Sequence, residues 1–570
     1  MDKIVYGSKM KKVDSYTMNV IGIPSMVLME RAAFSVFSYM EKHFSKESKF
    51  LCICGTGNNG ADGIALARML CLAGYKADVL WIGDETKATK QWVEQRNIAI
   101  NCEVSVKHLE RIVSSNSEKS HVSMDKNNTY NKLRGIIRDE IRDYDCIIDA
   151  IFGIGLTRNV EGLYADVIEC VNETRKGQDS CEGAVKVYAM DIPSGLCADT
   201  GKVMGTAINA DITFTFGALK TGLLLYKGKD IAGKIVVEHI GFPEKAYLKG
   251  LDKSDLCRAV NKDELYQITK RNQHSNKGNY GKILIVAGSK NVYGAAYFSA
   301  MAACKLGCGL VKIITHKDNR DLIYNKIPEA MINVYDTDES EENMMQMLEE
   351  NVSWADVVVV GPGISKGETA KLLLKHTMRV ARDKDKSIII DADGLNIIAE
   401  NPQLKEYYHK KTVITPHIGE SARLFGKSTR TIAENIIGVA GSYAYEHNIN
   451  VIQKDSTTVI LGIESCGDKC NNRICINTSG NAGMATGGSG DILTGIVAAV
   501  IAGGVDVRGM CEYEASSDKD NEKIFLAASI ATYIHGLAGD MAAKVIGETS
   551  MTATDILNSI PAVLKELKEK

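Results

Sequence analysis

The chain has 570 residues, of which 45% are hydrophobic and 24% charged, a composition typical of a globular protein that buries a core. Its formal net charge of -3 and aromatic content of 6% argue against a nucleic-acid partner, because such binding relies on clustered basic residues or stacking rings. The N-terminus lacks the apolar stretch of a secretory signal, and no window resembles a membrane span of about 18 apolar residues. We therefore expect a cytoplasmic protein without a membrane partner, and the 15 scattered cysteines suit that reducing compartment as buried thiols.

The first half of the chain alternates apolar strands with helices. Strands are predicted at 50–54, 77–83, 146–153, 185–195 and 211–217, several of them ending in glycine-rich turns. This alternation indicates a mostly parallel sheet covered by helices. Two polar segments, 114–132 and 172–183, are predicted as surface insertions.

A charged stretch then precedes a second α/β pattern, so we place a domain boundary near 248–265 and predict domains at 1–248 and 262–570. In the second domain, strands are predicted at 282–289, 310–315, 356–363, 387–394, 412–417 and 449–454. Helices are predicted from Gly294 to Leu306, after the glycine-rich segment 486–491, and over about 523–545, with a loop at 512–523.

The first strand of the first domain runs into a glycine turn, Gly55 to Gly63, that opens a helix. Such a turn lets backbone N–H groups approach a phosphate, although a plain tight turn has the same pattern. Asn58, Asn59 and Asp62 add side-chain oxygens suited to a hard cation or a polar ligand. The turn is therefore a candidate binding site.

Two more strand ends carry similar groups, with Asp149 starting the segment 149–158 and Asp191 starting the segment 191–195. A single aspartate at a strand end is often a turn former. In a parallel sheet, however, ligands bind outside the carboxyl ends of the strands, so the three loops should converge on one crevice.

Five ordered motifs of the first domain resemble the YjeF N-terminal family of NAD(P)H-hydrate epimerases, a resemblance that covers about residues 1–245. The motifs are LMERAA (28–33), GTGNNGADG (55–63), DAIFGIGLTR (149–158), DIPSGL (191–196) and TFGALKTGL (215–223). The resemblance implies a Rossmann-like domain that binds the hydrate through Asn58, Asn59, Gly60, Ala61, Asp62, Gly153, Ile154, Gly155, Leu156, Thr157, Arg158, Asn159 and Asp191.

The same resemblance implies a potassium ion held by Asn59, Asp149 and Ser194. The sequence departs from the family pattern at Ala61, where glycine is usual, and a methyl group is tolerable there if the backbone is helical. Asp191 is the candidate for proton transfer in the first domain.

In the second domain, a glycine-rich loop from Asn481 leads into an apolar helix at Asp491. The N–H groups of Gly487 to Gly490, together with the helix dipole, form an anion hole of the kind that stabilises a transferring phosphoryl group. Asp491 could accept a proton from a substrate hydroxyl, whereas a lone aspartate at this place would more often cap the helix. Four glycines upstream favour catalysis.

Eight ordered motifs over about 265–565 resemble the YjeF C-terminal family of nucleotide-dependent NAD(P)H-hydrate dehydratases, which have a ribokinase-like fold. The motifs are KGNYGKILIVAGS, YGAA, VVGPG, DADGLN, TPHIGE, QKDSTT, NTSGNAGMATGGSGD and YIHGLAGD. The resemblance implies hydrate contacts at Ala295, Gly363, His417 and Asp491, and nucleotide contacts at Lys454, Asp455, Ser456, Thr457, Thr458, Gly487, Gly488, Ser489 and Gly490.

Asp455 departs from the family, which commonly has glycine there; a carboxylate next to a polyphosphate is unfavourable unless it points away or meets Mg²⁺. The Gly488-Ser489 pair is a common variant of Gly-Thr. His417 alone would be more often structural, but its place in TPHIGE favours a substrate contact.

Taken together, the resemblances imply a bifunctional, homo-oligomeric enzyme that acts on NADHX and NADPHX. One domain would interconvert the R and S hydrates, and the other would phosphorylate the C6 hydroxyl of the S form and eliminate it, with Mg²⁺ and either ADP or ATP. Two alternatives stay open: a ribokinase-like vitamin or sugar kinase, and a first domain that is a non-catalytic binding module.

Overall fold

The computed structural model describes residues 3–112, 126–176, 185–252, 255–262, 265, 273–466, 469–503 and 519–566. The chain divides into two compact units, Met1–Cys257 and Arg258–Lys570. Most of the predicted insertion 114–132 and the end of 172–183 lie outside the described residues. The described remainder of each is helical, within Lys126–Ile141 and Leu163–Lys176.

The first unit contains two sheets. Its strands, in chain order, are β1 (Ile4–Val5), β2 (Lys49–Cys54), β3 (Lys76–Trp81), β4 (Ser105–His108), β5 (Cys146–Ala150), β6 (Lys186–Met190), β7 (Ile212–Phe216), β8 (Leu219–Lys220), β9 (Lys234–Glu238) and β10 (Leu256–Cys257). Seven form a parallel sheet in the order β4-β3-β2-β5-β6-β7-β9, and the short strands form a second sheet, β10-β1-β8. The central strands are buried along almost their whole length, as expected for a parallel sheet covered on both faces.

Helices flank this sheet. They are α1 (Gly7–Tyr16), α2 (Ser25–His43), α3 (Asn58–Leu72), α4 (Lys90–Asn101), α5 (Lys126–Ile141), α6 (Leu163–Lys176), α7 (Thr221–Leu224), α8 (Gly228–Ile231) and α9 (Glu244–Gly250). The chain runs from β2 outward through β3 and β4, then returns to place β5 on the other side of β2. The crevice at this reversal, outside the carboxyl ends of β2 and β5, is where such folds bind ligands.

The second unit is built on one nine-stranded sheet. Its strands are β11 (Lys282–Val286), β12 (Leu310–His316), β13 (Met331–Tyr335), β14 (Val357–Val360), β15 (Ser387–Ile390), β16 (Thr412–Ile414), β17 (Asn450–Gln453), β18 (Val459–Cys466) and β19 (Lys469–Ile476). The order is β13-β12-β11-β14-β15-β16-β17-β18-β19, parallel except for the antiparallel pairs β17–β18 and β18–β19. The order reverses between β11 and β14, so the second crevice is expected there.

The helices of the second unit include the two long apolar ones that the sequence predicts. They are α10 (Gly294–Leu306), α11 (Arg320–Lys326), α12 (Glu341–Trp354), α13 (Glu368–Asp383), α14 (Asp393–Glu400), α15 (Ile418–Phe425), α16 (Thr429–Glu434), α17 (Ile436–His447), α18 (Ser489–Gly503), α19 (Lys519–Ile546) and α20 (Ala553–Glu566). Helix α18 has most of its residues buried and belongs to the core cluster that also contains residues of α10 and α19.

Helix α19 corrects two expectations. It begins at Lys519, so the predicted loop 512–523 is wrong at its described end. By length and composition, Asp520–Ile546 could also cross a membrane, with a mean hydropathy of 1.3 in its most apolar window. That window is 78% buried inside the protein, as in the core helix of a globular protein, so the helix is weak evidence for a membrane span.

Candidate functional sites

A cleft of about 590 Å³ lies at the carboxyl edge of the first unit's sheet. The glycine turn, the loop after β5 and Asp191 meet there, as the sequence predicts. The predicted residues that line it are Asn58, Asn59, Asp62, Gly153, Ile154, Gly155, Leu156, Thr157, Arg158 and Asp191. Gly60, Ala61 and Asn159 are not among the lining residues.

Gly60 and Ala61 shape the turn instead of facing the cleft. A Cβ at Gly60 would come within 1.9 Å of the carbonyl oxygen of Gly55, so a side chain there would push the turn apart. Ala61 is fully buried inside helix α3, a conformation that accepts a methyl group. Because α3 begins at Asn58, its N-terminal N–H groups and partial positive charge lie at the cleft.

Asn59, Asp149 and Ser194 come together around the backbone of Phe152. Ser194 donates from its Oγ to Asp149 Oδ1 (2.5 Å) and from its N–H to Asp149 Oδ2 (2.7 Å). The Phe152 N–H donates to Ser194 Oγ (2.8 Å), and Asn59 Nδ2 donates to the Phe152 carbonyl (3.0 Å). The structure thus joins the three loops into one buried polar cluster.

Two features of this cluster suit a cation. Asn59 Oδ1 is buried and has no hydrogen-bond partner in the described part of the chain, which is costly for a buried oxygen. Burial raises the pKa of Asp149 to about 6, although the hydrogen bonds from Ser194 and Ile151 oppose the shift. A bound cation would satisfy the amide oxygen and stabilise the ionised carboxylate.

Asp191 forms an ion pair with Lys220 at the end of β6. The Lys220 side chain is 1% exposed, and its Nζ donates to Asp191 Oδ1 (2.5 Å), Thr215 Oγ1 (2.9 Å) and the Phe216 carbonyl (2.7 Å). Asp191 has a φ of 65°, a left-handed conformation that is strained for a residue with a side chain and often occurs at functional sites.

Three charged residues that line the cleft are absent from the sequence-based site. Lys220 lies within the motif TFGALKTGL, so its place there was a usable signal. Lys11 and Asp14 line the cleft from helix α1, and no motif marks them. Asp14 has a pKa raised to about 6, mainly by burial and further by the charge of Asp191, with Lys220 opposing.

In the second unit, the motif segments follow the carboxyl ends of the central parallel strands. The loops after β11 and β14 touch, because Gly288 N–H donates to the Pro362 carbonyl (2.9 Å) and Ser289 N–H donates to the Gly363 carbonyl (2.7 Å). A Cβ at Gly363 would be 3.1 Å from that of Ala295. The predicted contacts Ala295 and Gly363 are therefore neighbours.

Lys454 connects three of the other loops. Its backbone N–H donates to the Pro416 carbonyl (2.8 Å), next to His417, with which it forms an isolated bridge. Its Nζ donates to Asp391 Oδ1 (2.9 Å), at the end of β15, and the other oxygen of Asp391 accepts from Thr494 Oγ1 (2.8 Å). Burial alone would lower the pKa of Lys454, but the carboxylates of Asp391 and Glu420 raise it.

Asp491 lies in the first turn of α18. Burial and the nearby charge of Asp391 raise its pKa to about 7, while Lys454 opposes the shift and Asp393 adds to it. A carboxylate with such a pKa is suited to general-base catalysis near neutral pH.

The glycine loop meets this group of side chains. Gly488 has a φ of 95°, and a Cβ at Gly490 would be 3.3 Å from Lys454 Nζ. The loop is fixed by Asp540, which accepts hydrogen bonds from Gly480 N–H and Asn481 Nδ2, both at 3.0 Å. Lys454, Gly490 and Asp491 therefore share one site.

The remaining predicted residues differ in their surroundings. Ser489 is buried and its Oγ lies 3.3 Å from Nε2 of His535, whose pKa burial lowers to about 4. Asp455 is exposed and Thr457 is buried. The His417 side chain is 55% exposed, and its Nδ1 accepts from Gly419 N–H. Partial burial of the ring, together with the charge of Lys454, lowers the pKa of His417. Gly487, Ser456 and Thr458 complete the predicted set of nucleotide-binding residues.

The fold and the two sites define a class of two-part α/β proteins, in which a parallel-sheet unit with a carboxylate-lined crevice is followed by a second unit built on a mostly parallel sheet. Two families match the chain in that order: residues 25–222 match "YjeF-related protein N-terminus" and residues 283–562 match "NAD(P)H-hydrate dehydratase".

Curated relatives match over the whole chain. Proteins described as the bifunctional NAD(P)H-hydrate repair enzyme Nnr from Thermofilum pendens and Moorella thermoacetica are each 31% identical over 100% of this chain and 97% of their own length. One from Escherichia coli is 28% identical over 98% of this chain and 93% of its own. The chain belongs to the family of bifunctional NAD(P)H-hydrate repair enzymes.

Solved structures match about half of the chain. A ribokinase-like superfamily protein from Enterococcus faecalis is 26% identical, with a TM-score of 0.45 over 55% of this chain and 97% of that chain. An ADP/ATP-dependent NAD(P)H-hydrate dehydratase from Bacillus subtilis, co-crystallised with ATP and Mg²⁺, is 22% identical, with a TM-score of 0.40 over 54% of this chain and 97% of that chain.

Proposed function

We propose that the first unit interconverts the R and S forms of NADHX and NADPHX, and that the second dehydrates the S form to NADH or NADPH at the expense of ADP or ATP. The observation that carries the dehydratase role is Asp491, which lies beside Lys454 and the glycine loop and has a pKa raised to about 7. Family membership of the whole chain supports pairing this activity with an epimerase.

In the dehydratase step, Asp491 accepts the proton of the C6 hydroxyl as that oxygen attacks the terminal phosphoryl group of the nucleotide. AMP or ADP leaves, and the C6–O bond of the phosphorylated hydrate then breaks, with loss of a C5 proton and release of phosphate. Lys454 and the N–H groups of Gly487 to Gly490 stabilise the charge that develops on the transferring group. The nucleotide segment is proposed at Lys454 to Thr458, and Ala295, Gly363 and His417 are proposed to contact the hydrate.

Mg²⁺ is proposed to accompany the nucleotide, neutralising charge on its phosphates. Asp455 fits that role because its exposed carboxylate is a hard oxygen ligand of the kind Mg²⁺ accepts.

Potassium is proposed in the first unit, held by Asn59, Asp149 and Ser194. The unpartnered Asn59 Oδ1 and the buried Asp149 supply hard oxygens with one negative charge, which suits a monovalent cation. The ion would tie the three loops together and place positive charge near the hydrate's diphosphate. A cytoplasmic location and a homo-oligomer without nucleic-acid or membrane partners stay predictions.

The test is to incubate the purified protein with mixed R and S NADHX plus ADP or ATP and to follow NADH absorbance. Recovery of all the NADH requires both activities, and recovery of only the S fraction requires dehydration alone. Recovery with one nucleotide and not the other identifies the donor. Phosphorylation of a vitamin or sugar hydroxyl without NADH recovery would favour the kinase alternative and contradict the proposal.

A further inference from the structure

Three carboxylates from three elements line the cleft of the first unit. Asp14 comes from α1, Asp62 from the first turns of α3, and Asp191 from the end of β6. One buried cation, Lys220, lies among them. Carboxylates that share a cleft do not all ionise at once, and their unequal surroundings separate acids from bases.

The ion pair with Lys220 distinguishes Asp191 from Asp14 and Asp62. Its three hydrogen bonds all go to fixed acceptors, and one of them holds Asp191 Oδ1 at 2.5 Å. The Phe216 N–H also approaches the same oxygen at 3.3 Å. The ion pair orients Asp191 at the cleft, where its carboxylate is placed to accept a proton from the hydrate.

Asp14 lies on helix α1, whose position at the cleft is stabilised by contacts with residues outside the helix. Lys12, two residues before it, donates to Asp252 (2.7 Å) and Asp255 (2.6 Å). At the start of α1, Ser8 N–H donates to Asp199 Oδ1 (2.8 Å). The match to the first family begins at residue 25, so α1 brings to the cleft a carboxyl group from outside the matched segment.

We propose that Asp14 and Asp191 are the acid and the base of the epimerisation, and that Lys220 is a positioning residue that holds the Asp191 carboxylate in place. The inference rests on the proposed epimerase function and adds the groups that move protons. C6 of the hydrate carries a hydroxyl and is bonded to the ring nitrogen N1, so inverting it requires a bond at C6 to open and close again.

The step is a ring opening. Asp191 accepts the proton of the C6 hydroxyl, the C6=O double bond forms as the C6–N1 bond breaks, and Asp14 donates its proton to N1. Rotation about the C5–C6 bond presents the other face of the aldehyde. The reverse transfers then close the ring, returning a proton to Asp14 and leaving the opposite epimer, with no external oxidant or co-reactant.

The surroundings of Asp14 favour its protonated form, as a general acid requires. Asp191 and Asp62 lie across the cleft, Lys220 opposes them, Lys11 is on the same helix, and Tyr247 faces Asp14 from α9. Burial and Asp191 together raise the pKa of Asp14 to about 6. Burial also raises the pKa of Asp62 well above its ordinary value, so a neutral Asp62 can donate a hydrogen bond to the hydrate.

The experiment measures R-to-S conversion of NADHX by the full-length chain without nucleotide, by separating the epimers chromatographically. Asp14→Ala should lower kcat by about 10²–10⁴-fold, the usual contribution of a general acid. Added formate should restore part of the rate by entering the space left by the carboxyl group. The wild-type rate should fall as pH rises through about 6, where Asp14 loses its proton, and this limb should be absent from the variant.

Matched variants separate chemistry from structure. Asp230→Ala removes an exposed carboxylate of α8 that pairs with Lys227 and does not line the cleft, and it should leave the rate and the pH profile unchanged. Lys220→Met should lower kcat, because Asp191 loses the group that holds its carboxylate at the cleft, and Lys220→Arg should restore part of the rate.

Unchanged kcat in Asp14→Ala would overturn the inference. So would a loss that formate does not restore and that accompanies a lower unfolding temperature, because Asp14 would then be structural. If the wild-type chain itself does not interconvert the epimers, the proposed epimerase function fails instead, and the two failures are distinguishable.

Discussion

Each unit has an aspartate–lysine ion pair whose aspartate follows a central parallel strand. The two pairs differ in which partner is buried. In the first unit, Asp191 lines the cleft, and Lys220 behind it is 1% exposed. In the second, Asp391 is the buried partner, with a side chain 2% exposed, and Lys454 is 21% exposed. One pair therefore presents a negative charge to its ligand and the other a positive charge.

This difference matches the chemistry proposed for each crevice. Proton transfer at a carbinolamine needs an acid and a base, and Lys220 holds Asp191 at the cleft for the second role. Phosphoryl transfer needs a cation near the transferring group, and Asp391 holds that cation next to Gly490. The base of the second crevice is a separate residue, Asp491, so the same ion pair supports either reaction depending on which partner faces the ligand.

The sharpest test of this contrast, with the largest expected effect, is Asp491→Asn. Dehydration of S-NADHX should fall by about 10²–10⁴-fold, because a general base is lost, while the R-to-S conversion by the same chain is unchanged. The measurement follows NADH formation with nucleotide and epimer separation without it.

Asp383→Asn is a suitable control, since this aspartate is exposed at the end of α13 and should change neither activity. Near-normal dehydration by Asp491→Asn would reduce Asp491 to a helix cap. A parallel loss of epimerisation would mean that the two crevices do not act independently.

The second test removes the proposed cation from the first crevice. Asp149→Ala should slow epimerisation by about 10–100-fold, since misplaced loops and lost ligands typically have effects of that size, and should leave dehydration of pure S-NADHX unchanged. Replacing potassium with a bulky organic cation should have the same selective effect on the wild-type chain. If neither change affects epimerisation, the cation assignment is wrong, and Asp149 is a residue that forms the turn at the end of its strand.

The fold was largely predictable because its central strands are continuous apolar runs ending in glycine turns. The predicted helix Gly294–Leu306 is confirmed with the same bounds, and so is the α/β class. Strands β4 and β9 were not predicted, because they have half-exposed, partly polar residues. The two-residue strands of the small sheet depend on partners far away in the chain and leave no local signal.

The sites were predictable where a motif follows a strand, since parallel strands bring such loops to one edge. Asp14 could not be found in this way: it lies on a short helix whose position at the cleft depends on tertiary contacts. The raised pKa values of Asp14 and Asp62 likewise arise mainly from burial, which no spacing in the sequence reports. The site roles assigned from the resemblance stay predictions.

A smaller effect is expected from Asp393→Asn, which tests whether the charge of Asp393 raises the pKa of Asp491. Asp393 is one of the charges that raise the pKa of Asp491, and asparagine keeps an oxygen that can accept from Ser365 N–H. Removing this negative charge favours the ionised form of Asp491. Since a base must be ionised, the pH at which dehydration reaches half its maximum should therefore fall, by less than about one unit.

The pH profile of dehydration at saturating S-NADHX gives the measurement. The wild-type rate should rise with pH through about 7, as Asp491 ionises. A shift to higher pH in Asp393→Asn would contradict the assignment of Asp491 as the base.

The smallest effect is expected from separating the two units, which we propose to be independent domains. We predict that fragments 1–257 and 258–570 each keep one activity, because each unit has its own parallel sheet and its own hydrophobic core. Strand β10 pairs with β1 through Cys257 and Ile4. On the other side, Arg258 N–H donates to the Ile474 carbonyl (2.8 Å) and the Arg258 carbonyl accepts from Ile476 N–H (2.9 Å).

Fragments 1–248 and 262–570, cut at the bounds predicted from the sequence, offer the matched comparison. The first ends inside helix α9 and lacks Asp255, the partner of Lys9 and Lys12 on α1, so Asp14 should be held less firmly and epimerisation should slow. The second lacks Arg258 and the buried Val260 and should unfold at a lower temperature. Measuring both activities and the unfolding temperature of the four fragments distinguishes the outcomes. If neither fragment from the 257/258 cut is soluble and active, while the intact chain is, then the two units depend on each other, and the contrast between their crevices describes one cooperative enzyme instead of two.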